Sequence, residues 1–335
     1  MNFDTQPQTA KKRKKWTWVL AGLIALLILM LVFTFIWSSE PDPVDTKKLS
    51  QEFPGEPPIG YVTVETVAQV AESLLNKSGG YLSNDILPPS VFMDNMPAYE
   101  FGALVQIRDI TQVLRNDISR SQSQSLEDEA LKFAEPAFNI HHKKWMFPRA
   151  EREYQKGVDL LRDYRDRLTD PADTETQFYA RADNLRSWLY LVSKRLGGLS
   201  QRLSASVGRT RMNTDLANDP SAQQSTGKGQ LVTVRTPWME IDDVFWEARG
   251  STWALIQFLK AVEHDFERVL RDKNAVASFQ QIIMELEATQ ETVWSPMIVN
   301  GSEFGFLANH SLVMSSYISR ANAAIIDLIE LLKRG

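Results

Sequence analysis

One apolar run stands apart from the rest of the chain. Residues 16–37, WTWVLAGLIALLILMLVFTFIW, contain no charged residue. A helix of this length reaches roughly 33 Å at about 1.5 Å per residue, which is enough to cross a bilayer core of about 30 Å. Trp16, Trp18 and Trp37 stand at its two ends, where tryptophan rings favour the membrane–water interface. The pattern predicts one transmembrane helix over residues 16–37 that contacts the lipid bilayer.

The residues beside this run predict its orientation. Residues 11–15 are all basic, and basic residues near a membrane span favour the cytoplasmic side. We therefore expect a cytoplasmic tail over residues 1–15 and a C-terminal domain outside the cytoplasm. A cleaved signal peptide is the alternative. Its apolar core is typically about 7–15 residues long and ends in small residues, whereas this longer run ends in FIW at residues 35–37.

Helical periodicity dominates the second half of the chain. Apolar residues recur at alternating steps of three and four over residues 178–203, 241–269, 276–293 and 307–332. An average step of about 3.5 places each stripe on one side of a helix, as in left-handed bundles and coiled coils. The chain is therefore predicted to be all-α, with long heptad-patterned helices that pack as an antiparallel bundle.

Breaks in the pattern divide the rest of the chain. Residues 38–60 contain five prolines and two glycines, which predicts a semi-extended linker that holds the domain of residues 61–335 away from the lipid. A helix is expected to end at Ser78-Gly79-Gly80, and a long one to begin near Glu175. LVTV at residues 231–234 is the single strand candidate. Residues 208–230 are small and polar, which predicts a flexible loop.

Charge and composition exclude several classes of protein. The net charge of the chain is −5, and residues 1–37 contribute +4, so residues 38–335 carry −9. An acidic domain is a poor binder of nucleic acid, because neutralising phosphates requires clustered Lys and Arg. The chain has no cysteine, which removes disulfides, thiol nucleophiles and cysteine-bound metal. We therefore expect neither nucleic acid nor a cofactor as a partner.

No catalytic or metal-binding motif is convincing. His141-His142 is the most conspicuous polar pair, but no Asp or Glu lies within four residues on either side, so a solvated turn is a better interpretation than a metal site. Glu72-Ser73 and Gly102-Ala103-Leu104-Val105-Gln106 resemble short elements of the lytic transglycosylases. That resemblance implies a peptidoglycan-cleaving enzyme with Glu72 as the acid/base. It covers under a tenth of the chain, and we expect a non-enzymatic protein instead.

The segment of residues 78–99, SGGYLSNDILPPSVFMDNMPAY, combines turn residues with large apolar ones. Apolar residues in an irregular segment either cap the bundle or form a binding surface. The cap is the favoured interpretation, and the binding surface is the functional hypothesis. The residues that carry this hypothesis are Tyr81, Phe92, Met93, Met96 and Tyr99.

Three parts of the sequence carry a family resemblance: the N-terminal anchor, SGGYLSNDILPPSVFMDNMPAYEFGALVQIRD and AFNIHHKKWMFPRAE. Over essentially its whole length the chain resembles an uncharacterised bacterial family, domain of unknown function 2333. The resemblance implies a single-pass inner-membrane protein of Gram-negative bacteria. It implies no catalytic residue.

These observations together favour a periplasmic scaffold or accessory subunit of a cell-envelope assembly, anchored in the inner membrane. Envelope proteins are the expected partners. Self-association through heptad faces or through the membrane helix is a further expectation. A carrier of lipid or another hydrophobic ligand, with a cavity inside the bundle, is the remaining alternative.

Overall fold

The computed structural model describes residues 8–121, 126–212, 231–295, 297–302 and 305–334. The helices are α1 (Gln8–Trp37), α2 (Thr46–Glu52), α3 (Tyr61–Asn76), α4 (Asn95–Val113), α5 (Glu129–Phe138), α6 (Ala150–Thr169), α7 (Ala182–Ser204), α8 (Ile241–Asp265), α9 (Glu267–Asp272), α10 (Val276–Glu287) and α11 (His310–Lys333). The strands β1 (Arg209–Met212) and β2 (Leu231–Val234) form an antiparallel pair, with Arg209 opposite Val234. The fold is predominantly helical. The strand candidate at residues 231–234 is β2, and its partner β1 lies in the stretch predicted as a loop.

Helix α1 is a candidate membrane span. Its stretch Lys15–Trp37 is 23 residues long, and none of its most apolar window is buried. So much bare apolar surface is costly in water, because each Å² of apolar area exposed costs about 25 cal/mol. Helix α11 is also long and apolar enough to span a membrane, but its apolar stripe lies in the domain core.

The apolar stripes of the second half lie in the core of the domain. The stripe residues of α7, from Leu185 to Leu203, have side chains that are 0–5% exposed. The stripe residues of α11, from Met314 to Leu332, are 0–4% exposed. Burial of such side chains is the main favourable contribution to folding. The outlier is Leu307, which is 63% exposed because α11 begins only at His310.

Two glycines allow α4 and α8 to touch backbone to backbone. A Cβ on Gly102 would collide with the carbonyl oxygen of Glu247, and one on Gly250 would collide with that of Tyr99. Gln106, next along α4, is buried and donates to the Ser251 hydroxyl at 2.8 Å. The Gly102 element that resembles an enzyme motif therefore has a packing role here.

The expected start of the long helix near Glu175 is wrong, because α7 begins at Ala182. The preceding residues are held by contacts with distant parts of the chain. The Tyr164 hydroxyl donates to the Gln177 carbonyl at 2.6 Å, and the Tyr179 N–H donates to the Ile118 carbonyl at 2.8 Å. Asp173 accepts from the N–H groups of Glu175 and Thr176 in a local turn, which stands where the sequence predicted the first turn of the helix.

The linker of residues 38–60 is not a spacer. It contains α2, whose first turn is capped by Asp45, and Pro41 and Thr46 are buried. The Ser50 hydroxyl lies 3.0 Å from His264 Nε2 at the end of α8. The linker is therefore packed along the domain. Its prolines interrupt helical structure, but the segment stays in contact with the domain.

Of the loop predicted over residues 208–230, residues 209–212 form β1, and residues 213–230 lie outside the described part.

Candidate functional site

The connection between α3 and α4 is fixed at its two ends by one buried ion pair. Lys77 Nζ lies 2.9 Å from Glu100 Oε1, and the two side chains are 2% and 0% exposed. The same carboxylate accepts hydrogen bonds from the N–H groups of Leu82 and Ser83 and from the Ser83 hydroxyl. Burial raises the pKa of Glu100, while Lys77 and the donors of Ser83 and Leu82 act to lower it. Glu100 therefore holds this connection against α4.

Three of the five residues predicted to form a binding surface are buried. Tyr81, Met96 and Tyr99 are 4%, 2% and 0% exposed. The Tyr81 ring meets the Tyr154 ring edge-on at 5.5 Å, and the Tyr99 ring lies 5.9 Å from that of Trp253. Burial raises the pKa of both tyrosines well above the ordinary value. Their burial fits the interpretation that this segment caps the bundle, and Met96 and Tyr99 lie within α4, which begins at Asn95.

The rest of the segment is partly exposed. Phe92 is 78% exposed, whereas Met93 is half-buried against the core. Ile86, Leu87 and Val91, which the sequence did not single out, are also exposed. That Phe92 and Met93 bind a partner stays a prediction. The exposed surface around them also includes Ile86, Leu87 and Val91.

A second feature is the junction between α1 and the domain. A Cβ built on Gly79 would lie 2.5 Å from Cγ of Trp37, so the Trp37 ring lies directly on the turn that follows α3. Gly79 has a φ of +85°, a backbone conformation that glycine adopts most readily. The last residue of the apolar run therefore contacts the helical domain without an intervening spacer.

Arg249 of α8 completes this junction. Its Nε donates to Glu40 Oε1 at 2.7 Å, and its other nitrogens donate to the backbone carbonyls of Thr289, Gln290 and Glu291 at 2.8–3.1 Å. Arg249 is 5% exposed, and buried arginines of this kind are held by several acceptors at once. Sequence reasoning missed it, although Arg249 is the one charged residue in the stretch 248–259, and that is a signal that could have found it.

One sequence comparison identifies relatives of the chain. The profile described as "Uncharacterized protein conserved in bacteria (DUF2333)" matches residues 10–335. The chain belongs to the DUF2333 family. No curated protein and no solved structure is significantly similar to it. This membership confirms the family resemblance seen in the sequence, and it shows that the family is bacterial.

In this DUF2333 protein, Glu72 is one half of an ion pair. Its carboxylate accepts from Arg162 Nη1 at 3.0 Å and from Nη2 at 2.6 Å. The hydrogen bond from Arg162 lowers the pKa of Glu72. A glutamate that acts as a general acid needs the opposite shift, toward the working pH. The geometry around Glu72 is that of a bidentate pair joining α3 to α6.

The paired histidines lie in the connection between α5 and α6, as the sequence indicated. The His142 ring packs against Phe101 at 4.5 Å and on His141 at 4.8 Å. Burial, with His141 and Lys143 nearby, lowers the pKa of His142 to about 4. Among the described residues, no group of three or more His, Asp and Glu side chains is arranged to hold a metal ion.

Two cavities bear on the carrier alternative. A cleft of about 1170 Å³ lies between α2 and the helices α8 to α10, and Lys260, Glu263 and Glu287 are among its lining residues. A smaller one of about 370 Å³ is lined by Phe245, Trp294 and other residues next to Arg249. The second volume falls within the range of small-ligand pockets, about 300–1,000 Å³.

Proposed function

We propose that this DUF2333 protein is a scaffold or accessory subunit of a bacterial cell-envelope assembly, anchored by one transmembrane helix. Residues 1–15 lie in the cytoplasm and residues 61–335 in the periplasm, with α1 in the inner membrane. The support is the exposed apolar helix α1, the basic residues 11–15 before it and the bacterial family. The basic residues favour the cytoplasmic side.

The observation that carries this proposal is the junction between α1 and the domain. Trp37 contacts Gly79, and Glu40 pairs with the buried Arg249. A tethered enzyme that searches for its substrate benefits from a flexible linker, whose reach grows with its length. A packed junction instead fixes the height and direction of the domain relative to the bilayer. Fixed presentation of a surface is what an assembly subunit requires.

We further propose that the long helices form an antiparallel, heptad-patterned bundle. Helices α7 and α11 run in opposite directions, because Ser204 near the end of α7 contacts Ser315 near the start of α11, and the earlier Gly197 lies near the later Asn322. Arg320 of α11 pairs with Glu285 of α10, while the backbone carbonyl of Arg334, just after α11, accepts a hydrogen bond from Lys273. Because the stripes of α7 and α11 are buried within the same chain, self-association would use α1 or the exposed loops.

The test uses the full-length protein, cross-linked in living cells, purified in mild detergent and analysed by mass spectrometry. We expect a reproducible envelope partner. A flexible Gly-Ser insert between Ser39 and Glu40 should abolish this cross-link, because it uncouples the domain from α1. The same insert after Arg334 is the control and should leave the cross-link intact. Recovery of the protein alone, or full cross-linking with the junction insert, would contradict the proposal.

The two alternatives have direct assays of their own. Peptidoglycan cleavage predicts release of muropeptides from sacculi by the full-length protein and loss of that release in Glu72→Gln. A carrier predicts lipid that co-purifies and that Trp294→Ala diminishes, since Trp294 lines the 370 Å³ pocket. Neither alternative requires the packed junction.

A further inference from the structure

Exposed aromatic and aliphatic side chains concentrate in the four connections that precede α4, α6, α8 and α11. We call these connections the apolar loops. Phe147, Trp238, Trp294 and Phe306 are 88%, 83%, 92% and 104% exposed. The full set is Ile86, Leu87, Val91, Phe92, Trp145, Met146, Phe147, Trp238, Met239, Trp294, Met297, Phe306 and Leu307. Side chains of this kind on a protein surface mark an interaction site when they cluster.

The apolar loops before α4 and α6 lie at the same end of the domain. Glu100, in the second turn of α4, pairs with Lys77 at the end of α3. Asn84 donates to the Glu151 carboxylate at the start of α6 and to the Lys144 carbonyl in the connection before it. The N-termini of α4 and α6 and the C-terminus of α3 are therefore neighbours.

The apolar loops before α8 and α11 lie at this end as well. Gly250 of α8 packs on the backbone of Tyr99 in the first half of α4, which brings the two N-terminal halves together. The Phe245 ring of α8 lies 6.5 Å from the ring of His310, the first residue of α11. All four apolar loops thus belong to one end of the helical domain.

The candidate span joins the domain at this same end. Trp37 contacts Gly79, which directly follows α3. Glu40 reaches Arg249, whose other acceptors are the carbonyls of residues 289–291. Three residues later stands Trp294, in the apolar loop before α11. A membrane that ends near Trp37 is therefore close to the apolar loops.

The opposite end of the domain is polar. It is marked by the hydrogen bond from the Thr63 N–H to Asp265 at the end of α8. Exposed ion pairs stand on the elements there, such as Lys48 with Glu52 and Arg271 with Glu267. Of the other large apolar side chains exposed beyond α1 in the described part, Leu231, Val232 and Val234 stand together on β2. The rest are scattered: Ile59, Leu126, Phe133, Tyr190, Met284, Val313 and Ile326.

We propose that the apolar loops lie in the interface of the bilayer that α1 crosses, so that the domain rests on the membrane through this end. The proposal rests on the proposed membrane anchoring, and it names lipid as the partner of the exposed surface around Phe92. Trp, Phe and Leu are the residues that favour the membrane interface. Acidic residues such as Asp94 and Asp243 and basic residues such as Lys143 stand among the loops, so we expect apolar insertion, not net charge, to carry the contact.

The test exploits the absence of cysteine. Single variants Phe92→Cys, Phe147→Cys and Phe306→Cys of the full-length protein are labelled with an environment-sensitive fluorophore and reconstituted at one copy per lipid nanodisc. Leu126→Cys is the matched control, because Leu126 is 95% exposed and lies beside the ion pair of Glu127 with Arg115, far from the apolar loops. Quenching is measured with spin-labelled lipid and with aqueous iodide.

We expect spin-labelled lipid to quench the three loop positions about twofold or more and to leave Leu126 unquenched, at low and at high salt. Equal quenching by iodide at all four positions would overturn the proposal. A protected fluorophore without lipid quenching would also overturn it, since protein would then cover the loops. The cross-linking test is independent of this one. If no envelope partner is cross-linked but the loop positions are quenched by lipid, the scaffold proposal is refuted and the membrane contact is retained.

Discussion

The Nε atom of Arg249 donates to Glu40 Oε1 at 2.7 Å, and this contact joins two residues that are 209 positions apart in the chain. The arginine also satisfies three backbone carbonyls of the connection after α10. One side chain therefore ties the residues after α1 to α8 and to the loop that leads to α11.

The first prediction concerns this arginine. Arg249→Met should lower the free energy of unfolding by about 3 kcal/mol, because removing this buried side chain leaves three backbone carbonyls without their donor. Glu40→Gln keeps an acceptor for Nε and should cost less. In a Pro41→Cys background, maleimide should label the buried residue 41 faster in Arg249→Met than in Glu40→Gln. Equal labelling rates would contradict the role assigned to Arg249.

The second prediction separates backbone conformation from contact at the junction. Gly79 and Gly80 both have positive φ, +85° and +72°, but only a Cβ on Gly79 would meet Trp37. Gly80→Ala should cost about 1 kcal/mol through its backbone alone. Gly79→Ala should cost more and should displace Trp37, which speeds labelling of Pro41→Cys. If the two alanine variants behave alike, Trp37 does not pack on this turn.

The third prediction concerns the buried pair of Lys77 with Glu100. Lys77→Met should lower stability by about 3–5 kcal/mol, because it leaves a buried carboxylate without its cation. The pKa of Glu100 then rises further, so the loss should shrink as the pH falls toward 4 and the carboxylate takes up a proton. Denaturant unfolding in detergent at several pH values measures this. Lys48→Met, in an exposed pair with Glu52, is the control and should change stability by less than about 1 kcal/mol.

The sequence predicted those parts of the fold that depend on local pattern. The stripes of α7 and α11 are buried as their spacing indicated, and α3 ends at Asn76, just before Ser78-Gly79-Gly80. Apolar spacing and glycine placement act within a few turns of helix, so a single sequence is enough to recognise them. The apolar helix α1 could be predicted for the same reason.

The parts that could not be predicted depend on contacts between distant residues. The docking of the linker rests on Glu40 with Arg249, and the extended residues before α7 rest on Tyr179 with Ile118. No local propensity encodes such partners. The sequence left open whether Tyr81 is part of a cap or of a binding surface for a related reason. Its segment looked like an irregular surface loop, whereas Glu100 draws the backbone at residues 82–83 against α4.

The fourth prediction concerns acid stability. The pKa of His142 is lowered to about 4, first by burial and then by His141 and Lys143. The folded protein therefore binds fewer protons than the unfolded chain between about pH 4 and 6.5, so His142 makes stability fall as the pH drops through that window. His142→Gln should recover about 1–2 kcal/mol at pH 4.5, allowing for partial exposure of the ring. Unfolding curves at pH 7 and 4.5 test this, and His141→Gln should recover less, because it removes only a secondary cause of the lowered His142 pKa. If His142→Gln loses as much stability between pH 7 and pH 4.5 as the original protein does, the role assigned to His142 is contradicted.

The fifth prediction has the opposite sign and concerns Asp243, in the first turn of α8. Burial raises the pKa of this carboxyl to about 6, and the charges of Asp94, Asp242 and Glu240 add to the effect. Its Oδ1 is buried without a hydrogen-bond partner in the described structure. The folded protein holds a proton that the unfolded chain releases, so this group costs stability as the pH rises from about 4 to about 6.

Asp243→Asn should therefore stabilise the protein by about 1 kcal/mol at pH 7, a value reduced for solvent screening, and should have no effect below about pH 4. Asp94→Asn should give a smaller gain by removing one of the repelling charges. The exposed Asp85→Asn is the control and should be neutral at both pH values. Thermal unfolding at pH 7 and pH 4 distinguishes these cases, and a gain from Asp243→Asn that is equal at both pH values would show that a new hydrogen bond, not relief of the buried charge, is responsible.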